Sequence, residues 1–208
     1  MSLAYHEAEL RIALDPTNPA HNLPPILPHH KRILDVGCGM GQTLLAARLA
    51  PDVEAFGVDN DGAAVRAGMN SMPPNINLME GSGESLPFPD DYFDLVYSRV
   101  ALPCMQVSKA LKEINRVLKP GGDVWLSLMG VNHLSRKTRL HLKQIAYDVF
   151  VLINGTLFNL FGTQLPGKRK ETFQTKGGIE RAMRRVGLTA RTTQSAIHLT
   201  AEGKKFAG

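Results

Sequence analysis

Three alternating glycines and one carboxylate carry the clearest chemistry in this chain of 208 residues. In the stretch Arg32 to Leu45, Gly37, Gly39 and Gly41 separate an apolar run (Ile33, Leu34, Val36) from the apolar start of a helix pattern. Glycine tolerates a sharp strand-to-helix turn and lets a ligand approach where a Cβ would clash. The free amides at the following helix N-terminus then suit an anionic group. The spacing Gly-x-Gly-x-Gly differs from the Gly-x-Gly-x-x-Gly of dinucleotide sites, so a smaller zwitterionic ligand fits better than a pyrophosphate. Asp59 closes the next apolar run, Ala55 to Asp59, about 20 residues beyond the glycines, where a βαβ nucleoside site places its ribose-binding acid. A carboxylate accepts from both ribose hydroxyls; the competing role for Asp59 is a helix cap. Ser98, closing a later apolar run, offers an acceptor for an ammonium group.

These residues need elements to hold them. Strands are expected at about 33–36, 53–58, 76–80, 93–97 and 123–128, with helices at about 42–50, 61–69 and 107–118, the last stopped by Pro120-Gly121-Gly122. A further helix over 175–186 and an antiparallel pair of strands within 188–200 complete the chain. Strands alternating with helices imply a mostly parallel sheet covered on both faces. Residues 1–14 read as a helix with Leu3, Leu10 and Leu14 as packing positions, and the prolines of 16–28 as an extended connector.

Taken together, the glycine turn, Asp59, the segment Gly81 to Val96 and the helix Leu111 to Gly122 followed by a strand resemble the class I S-adenosylmethionine-dependent methyltransferases, in particular the small-molecule branch with the ubiquinone and menaquinone methyltransferases. The resemblance covers roughly residues 30–130. It implies an α/β fold, a doubly wound, mostly parallel seven-stranded sheet with helices on both faces and a helical lid inserted before the last helix. It implies one domain: cap and connector over 1–28, cofactor-binding core over 29–130, insertion over 131–172, and last helix and strands over 173–208. The implied cofactor is S-adenosyl-L-methionine. Asp35 then organises the methionine end, its alternative being to bind the amides of the turn. Asn60 lies along the adenine. Ser82 stands where the family usually has an aspartate for the adenine amino group, a departure that weakens this contact, and Gly83 and Glu84 read the rest of the adenine edge.

The insertion is apolar almost all round. Leu142, Ile145, Ala146, Val149, Ile153, Leu157, Leu160 and Phe161 form one helical face that must be buried, paired or laid on lipid. Gly155 is expected to break or kink it, and Tyr147, Phe150, Asn154, Phe158 and Asn159 to line an apolar acceptor pocket. Asp148, Asn154 and Asn159 interrupt the run, which falls short of a bilayer span. His133, directly after the fifth strand, is the candidate general base, the other reading being a capping or partly buried histidine. Arg99 either holds an anionic acceptor group or pairs with a surface acid, and Tyr5 and His6 are candidates to reach the site from an N-terminal lid.

Composition sets the remaining limits. Hydrophobic residues make up 43% and charged residues 21%, an ordinary globular balance. Cys38 and Cys104 have no Cys or His companions at metal-binding spacing. The adjacent His29 and His30 are set aside as ligands on the expectation that neighbours on a strand point to opposite faces, so no metal is assigned. Nothing at the N-terminus reads as a signal peptide, and a cytoplasmic enzyme is expected, monomer or homodimer, with a small-molecule methyl acceptor as its partner and at most peripheral contact with a membrane. Charge is uneven: −5 over residues 1–130 and +10 over 131–208. A basic third of this kind suits an RNA or protein substrate as an alternative, although no RNA-binding module is visible. The other alternative is a catalytically decayed cofactor-binding protein.

Overall fold

The computed structural model describes residues 3–128, 142–167 and 170–207. Among these, seven strands form one sheet: β1 (Arg32–Val36), β2 (Glu54–Asp59), β3 (Ile76–Glu80), β4 (Phe93–Arg99), β5 (Leu118–Leu128), β6 (Arg191–Gln194) and β7 (Leu199–Lys204). Their order is β3-β2-β1-β4-β5-β7-β6, parallel except for β7, which runs antiparallel to both neighbours. The helices are α1 (Leu3–Leu14), α2 (Gln42–Ala46), α3 (Gly62–Met69), α4 (Val107–Val117), α5 (Leu142–Phe161) and α6 (Lys176–Arg185). β1 is an interior strand beside the central β4, and its Ile33, Leu34 and Val36 are wholly buried, as a strand covered on both faces requires. Leu34 and Val36 pack with α4 and α6, whereas Ile33 packs with Leu44 of α2 and Val65 of α3. The chain reverses its winding between β1 and β4, the place where open α/β sheets bind ligands.

Most expected elements recur, with informative differences. Pro120-Gly121-Gly122 does not separate α4 from the fifth strand. β5 starts at Leu118 and absorbs them where its register with β4 shifts between Phe93 and Leu95. Gly121, at φ +77, takes the backbone conformation that such a bulge needs. The last strand continues to Lys204, beyond the expected 200. In α1 the inward residues are His6 and Ala13; Leu14 is exposed, so apolarity alone misplaced that face.

The larger correction concerns α5. It is one continuous helix through Gly155, and its inward face is Val151, Asn154, Gly155, Phe158 and Asn159. The stripe that had to be buried, paired or laid on lipid (Ile145, Val149, Ile153, Leu160) is exposed among the described residues. Asn154 and Asn159 bond protein backbone. The Asn154 amide donates to the carbonyls of Lys170 and Glu171 (3.2 and 3.0 Å) and its oxygen accepts from Leu165 N–H at 2.8 Å. Asn159 donates to the carbonyls of Gly155 and Phe173 and accepts from Thr175. Together they tie the returning segment onto the helix, since buried backbone groups outside regular structure need such partners. Gly155 admits the Phe173 ring, which a Cβ would overlap. Gly155→Ala is expected to destabilise the protein by about 1–3 kcal/mol despite the better helix propensity of alanine; an unchanged or raised midpoint in thermal unfolding would contradict the Phe173 contact.

No helix among the described residues is long and apolar enough to cross a membrane.

Candidate cofactor site

A cleft of about 180 Å³ opens at the carboxyl ends of β1 to β4. Gly37, Val58, Asp59, Asn60, Gly81 to Glu84, Ala101, Cys104, Met105 and Lys170 line it. Of the residues read from the sequence, Gly37, Asp59, Asn60, Ser82, Gly83 and Glu84 therefore meet in one place.

Asp59 ends β2 with its carboxylate already oriented. Oδ2 accepts from Gly39 N–H at 2.7 Å and Oδ1 from Asp61 N–H at 2.8 Å. The helix cap is a different residue: Asp61 Oδ1 accepts from Ala63 and Ala64 at the start of α3. Each oxygen of Asp59 keeps acceptor capacity toward the cleft. The glycine turn thus acts twice, making the strand-to-helix bend and fixing the acid opposite it. Gly41, at φ +80, caps α2 and backs onto Met72 and Leu78; it is packed away from the cleft, so its role is to shape the turn.

The space over the other two glycines is taken by protein. Beside Gly37 lies Ala101, and beside Gly39 the His6 ring. The expectation of open room above both is corrected, because α1 and the loop after β4 pack there. Val100 holds that loop at φ +64, a strained setting for a β-branched residue and typical of functional segments. The occupied space explains why the cleft is smaller than the roughly 300 Å³ or more of most ligand pockets.

Two further predicted residues are not part of the cleft lining. Asp35 and Ser98 are buried, and neither the Asp35 carboxylate nor Ser98 Oγ meets a well-aligned hydrogen-bond partner, although the Tyr97 hydroxyl lies close enough to Asp35 to lower its pKa. Asp35 therefore does not bind the amides of the turn. Burial raises its pKa to about 8; Arg99 pulls the other way and Asp59 adds repulsion. Buried polar atoms without partners are rare and mark sites completed by something else. Asp35 shares the sheet face of its register partner Tyr97, whereas Ser98 points to the opposite face, so only the Asp35 carboxyl suits a zwitterion's ammonium; a nucleoside suits Asp59 and the 81–84 turn.

At the rim, Lys170 pairs with Glu84 at 2.5 Å, and Glu84 also accepts from Gln106 N–H at 3.0 Å. Burial works against the charge, yet the Gln106 amide and Lys170 keep the Glu84 carboxyl below the usual range. The Ser82 hydroxyl accepts from Glu84 N–H at 3.2 Å. Lys170, Cys104 and Met105 were not found from sequence. Position after β4 was the only signal for Cys104 and Met105, and Lys170 comes from a distant segment with none. Burial lifts the Cys104 thiol to about 11, with the Glu171 charge adding, so it stays protonated. His133 lies outside the described residues.

Arg99 is itself buried and pairs with a part-buried acid. It donates to Glu9 at 2.6 Å and to Thr43 at 3.1 Å, anchoring α1 to the sheet beside α2. Tyr5 and His6 are carried by that helix. The two histidines before β1 also differ from expectation. They lie in a turn, and both aim Nε2 at Asp123 Oδ2, at 3.4 and 3.1 Å. His30 Nδ1 accepts from Leu27 N–H, which leaves Nε2 as the protonated donor, and Lys204 holds the other Asp123 oxygen at 2.8 Å. The cluster satisfies itself and offers a cation little.

Fold, switch point and acid-tipped β2 give the α/β architecture of a nucleoside-binding domain. Residues 34–126 match the family described as a methyltransferase domain. Over 97 residues the chain is 40% identical to the uncharacterized methyltransferase YcgJ of Bacillus subtilis, covering 44% of this chain and 38% of that one. Over 98 residues it is 42% identical to the demethylmenaquinone methyltransferase of Symbiobacterium thermophilum, covering 43% and 39%. These alignments span about two fifths of the length of those relatives. The solved YcgJ structure superposes with a TM-score of 0.61 over 98% of this chain and 100% of that one, at 21% identity, which supports the fold. Over somewhat less than half its length the chain thus resembles the class I S-adenosylmethionine-dependent methyltransferases, in particular the ubiquinone and menaquinone methyltransferases.

Proposed function

We propose that this protein binds S-adenosyl-L-methionine in the cleft and transfers its methyl group to a small, largely apolar acceptor. The observation that carries the reading is Asp59, fixed by Gly39 N–H and aimed into a cleft shared with Asn60 and the 81–84 turn. Bound there, the cofactor supplies an electrophilic methyl on a sulfonium, and transfer is an in-line displacement needing little from the protein beyond position. Asp59 takes the ribose hydroxyls, and Asn60, Ser82, Gly83 and Glu84 surround the adenine. Asp35 receives the ammonium, while the amides of the turn from Gly37 to Gly41 are already bonded within the protein, so no contact with the carboxylate is assigned to them. Ala101, Cys104 and Met105 give the open side an apolar wall, and the Glu84–Lys170 pair bounds it. The demethylmenaquinone methyltransferase named above supports an apolar aromatic acceptor. His133 is the proposed base for an acceptor that must lose a proton.

Calorimetric titration with S-adenosylmethionine and NAD in parallel, followed by transfer of labelled methyl to a panel of hydroxylated aromatic acceptors, tests this. Binding of the first ligand only, with turnover, is expected. Uptake of neither ligand would overturn the assignment, and binding without turnover on any acceptor would favour a cofactor-binding protein. Ser82→Asp is expected to tighten the cofactor about tenfold, since a carboxylate is a stronger acceptor for the adenine amino group than a hydroxyl. Unchanged or weaker binding would remove the adenine from the 81–84 turn.

A further inference from the structure

The exposed face of α5 finds no cover among the described residues. Ile145, Val149, Leu152, Ile153 and Leu160 follow helical spacing along one side, and Phe161 closes the tip. Leu160 and Phe161 are 59% and 65% exposed, the most of any large hydrophobic residues described. A contiguous apolar surface of this kind marks an interaction site. Its surroundings are basic. Arg181 and Arg185 of α6 donate to the carbonyls of Asn159 and Phe161, which sets two guanidinium groups at the level of the exposed tip. Lys176 and Arg184 lie on the same helix, with Glu180 as its only acid.

We propose that this face docks on an anionic lipid bilayer, α5 lying along the interface with its apolar stripe in the acyl boundary and the arginines among the headgroups. An apolar helix face bordered by Arg and Lys binds such surfaces through buried area plus charge attraction. A second copy of the chain on the same face would bring like charges together at close range, which opposes self-association. The inference is independent of the proposed methyl transfer and stands if that reading fails.

Cosedimentation of the full chain with vesicles tests it. Equimolar phosphatidylglycerol and phosphatidylcholine vesicles should pellet the protein, and pure phosphatidylcholine vesicles should do so about tenfold less well. Binding should fall in about 0.5 M salt, where charges are screened within a few ångströms. Leu160→Ser with Phe161→Ser, and separately Ile145→Ser with Val149→Ser, replace exposed side chains and should keep the wild-type thermal midpoint. Each pair should lower partitioning about tenfold, as buried apolar area is removed from the lipid. Equal pelleting with both vesicle types, or no loss in either double variant, would overturn the proposal. A wild-type dimer in light scattering that either variant dissociates would also overturn it, assigning the stripe to self-association.

Discussion

Asp59→Ala lowers the affinity for S-adenosylmethionine by a factor of about a hundred or more, enough to remove the signal from a calorimetric titration. Two losses add. The ribose hydroxyls lose an ionised acceptor, and hydrogen bonds to charged groups are worth about 1.5–3 kcal/mol each. Gly39 N–H and Asp61 N–H also lose the carboxylate that joins them, so the glycine turn is no longer held against the end of β2. Asp59→Asn separates the two effects. It keeps one acceptor oxygen, but its amide group cannot accept, so an intermediate loss of about tenfold is expected. Full affinity in the alanine variant would move the nucleoside away from β2 and with it the whole assignment of the cleft.

Asp35→Asn is expected to make the cofactor-free protein more stable at pH 8 and less responsive to its cofactor. The folded chain holds the Asp35 carboxyl at about 8, chiefly by burial, whereas the unfolded chain releases that proton near the ordinary value of 3.8. Because the folded pKa is raised, the native state binds the extra proton. Its contribution to stability is complete below pH 4 and is lost as the pH rises toward and through 8, with a slope near 1.4 kcal/mol per pH unit between those values. Asparagine has no such dependence. At pH 8 the variant should therefore exceed wild type by several kcal/mol, on the order of 3–5. At pH 4, where both side chains are neutral, it should show no advantage. Urea unfolding of both proteins at the two pH values measures this, and parallel pH profiles would contradict the burial of that carboxyl. The cofactor's ammonium would pair that charge, so ligand should raise the wild-type midpoint more than the variant's. Such a trade of stability for binding is common where a site stores an unsatisfied group.

Sequence alone determined the half of the molecule in which function depends on local spacing. A strand, a glycine turn and a helix start lie within about a dozen residues, and the next acid-tipped strand follows one crossover later. The βαβ unit has only one common hand, so Gly37, Gly39 and Asp59 had to meet at one edge of a parallel sheet. The same logic placed Ser82, Gly83 and Glu84 at the end of β3.

Tertiary structure decided what periodicity leaves open. A helix apolar almost all round does not state which side faces the core; α5 turned Asn154 and Asn159 inward because the returning segment needed hydrogen-bond partners, and its aliphatic stripe was left outside. His6 came to rest on Gly39 because the Glu9–Arg99 pair fixes α1, a contact across 90 residues of sequence. Lys170 reached Glu84 over 86 residues. His29 and His30 share Asp123 because they occupy a turn, where the alternation of a strand does not hold. Each of these depends on long-range burial and polar satisfaction, which residue type and local spacing do not encode.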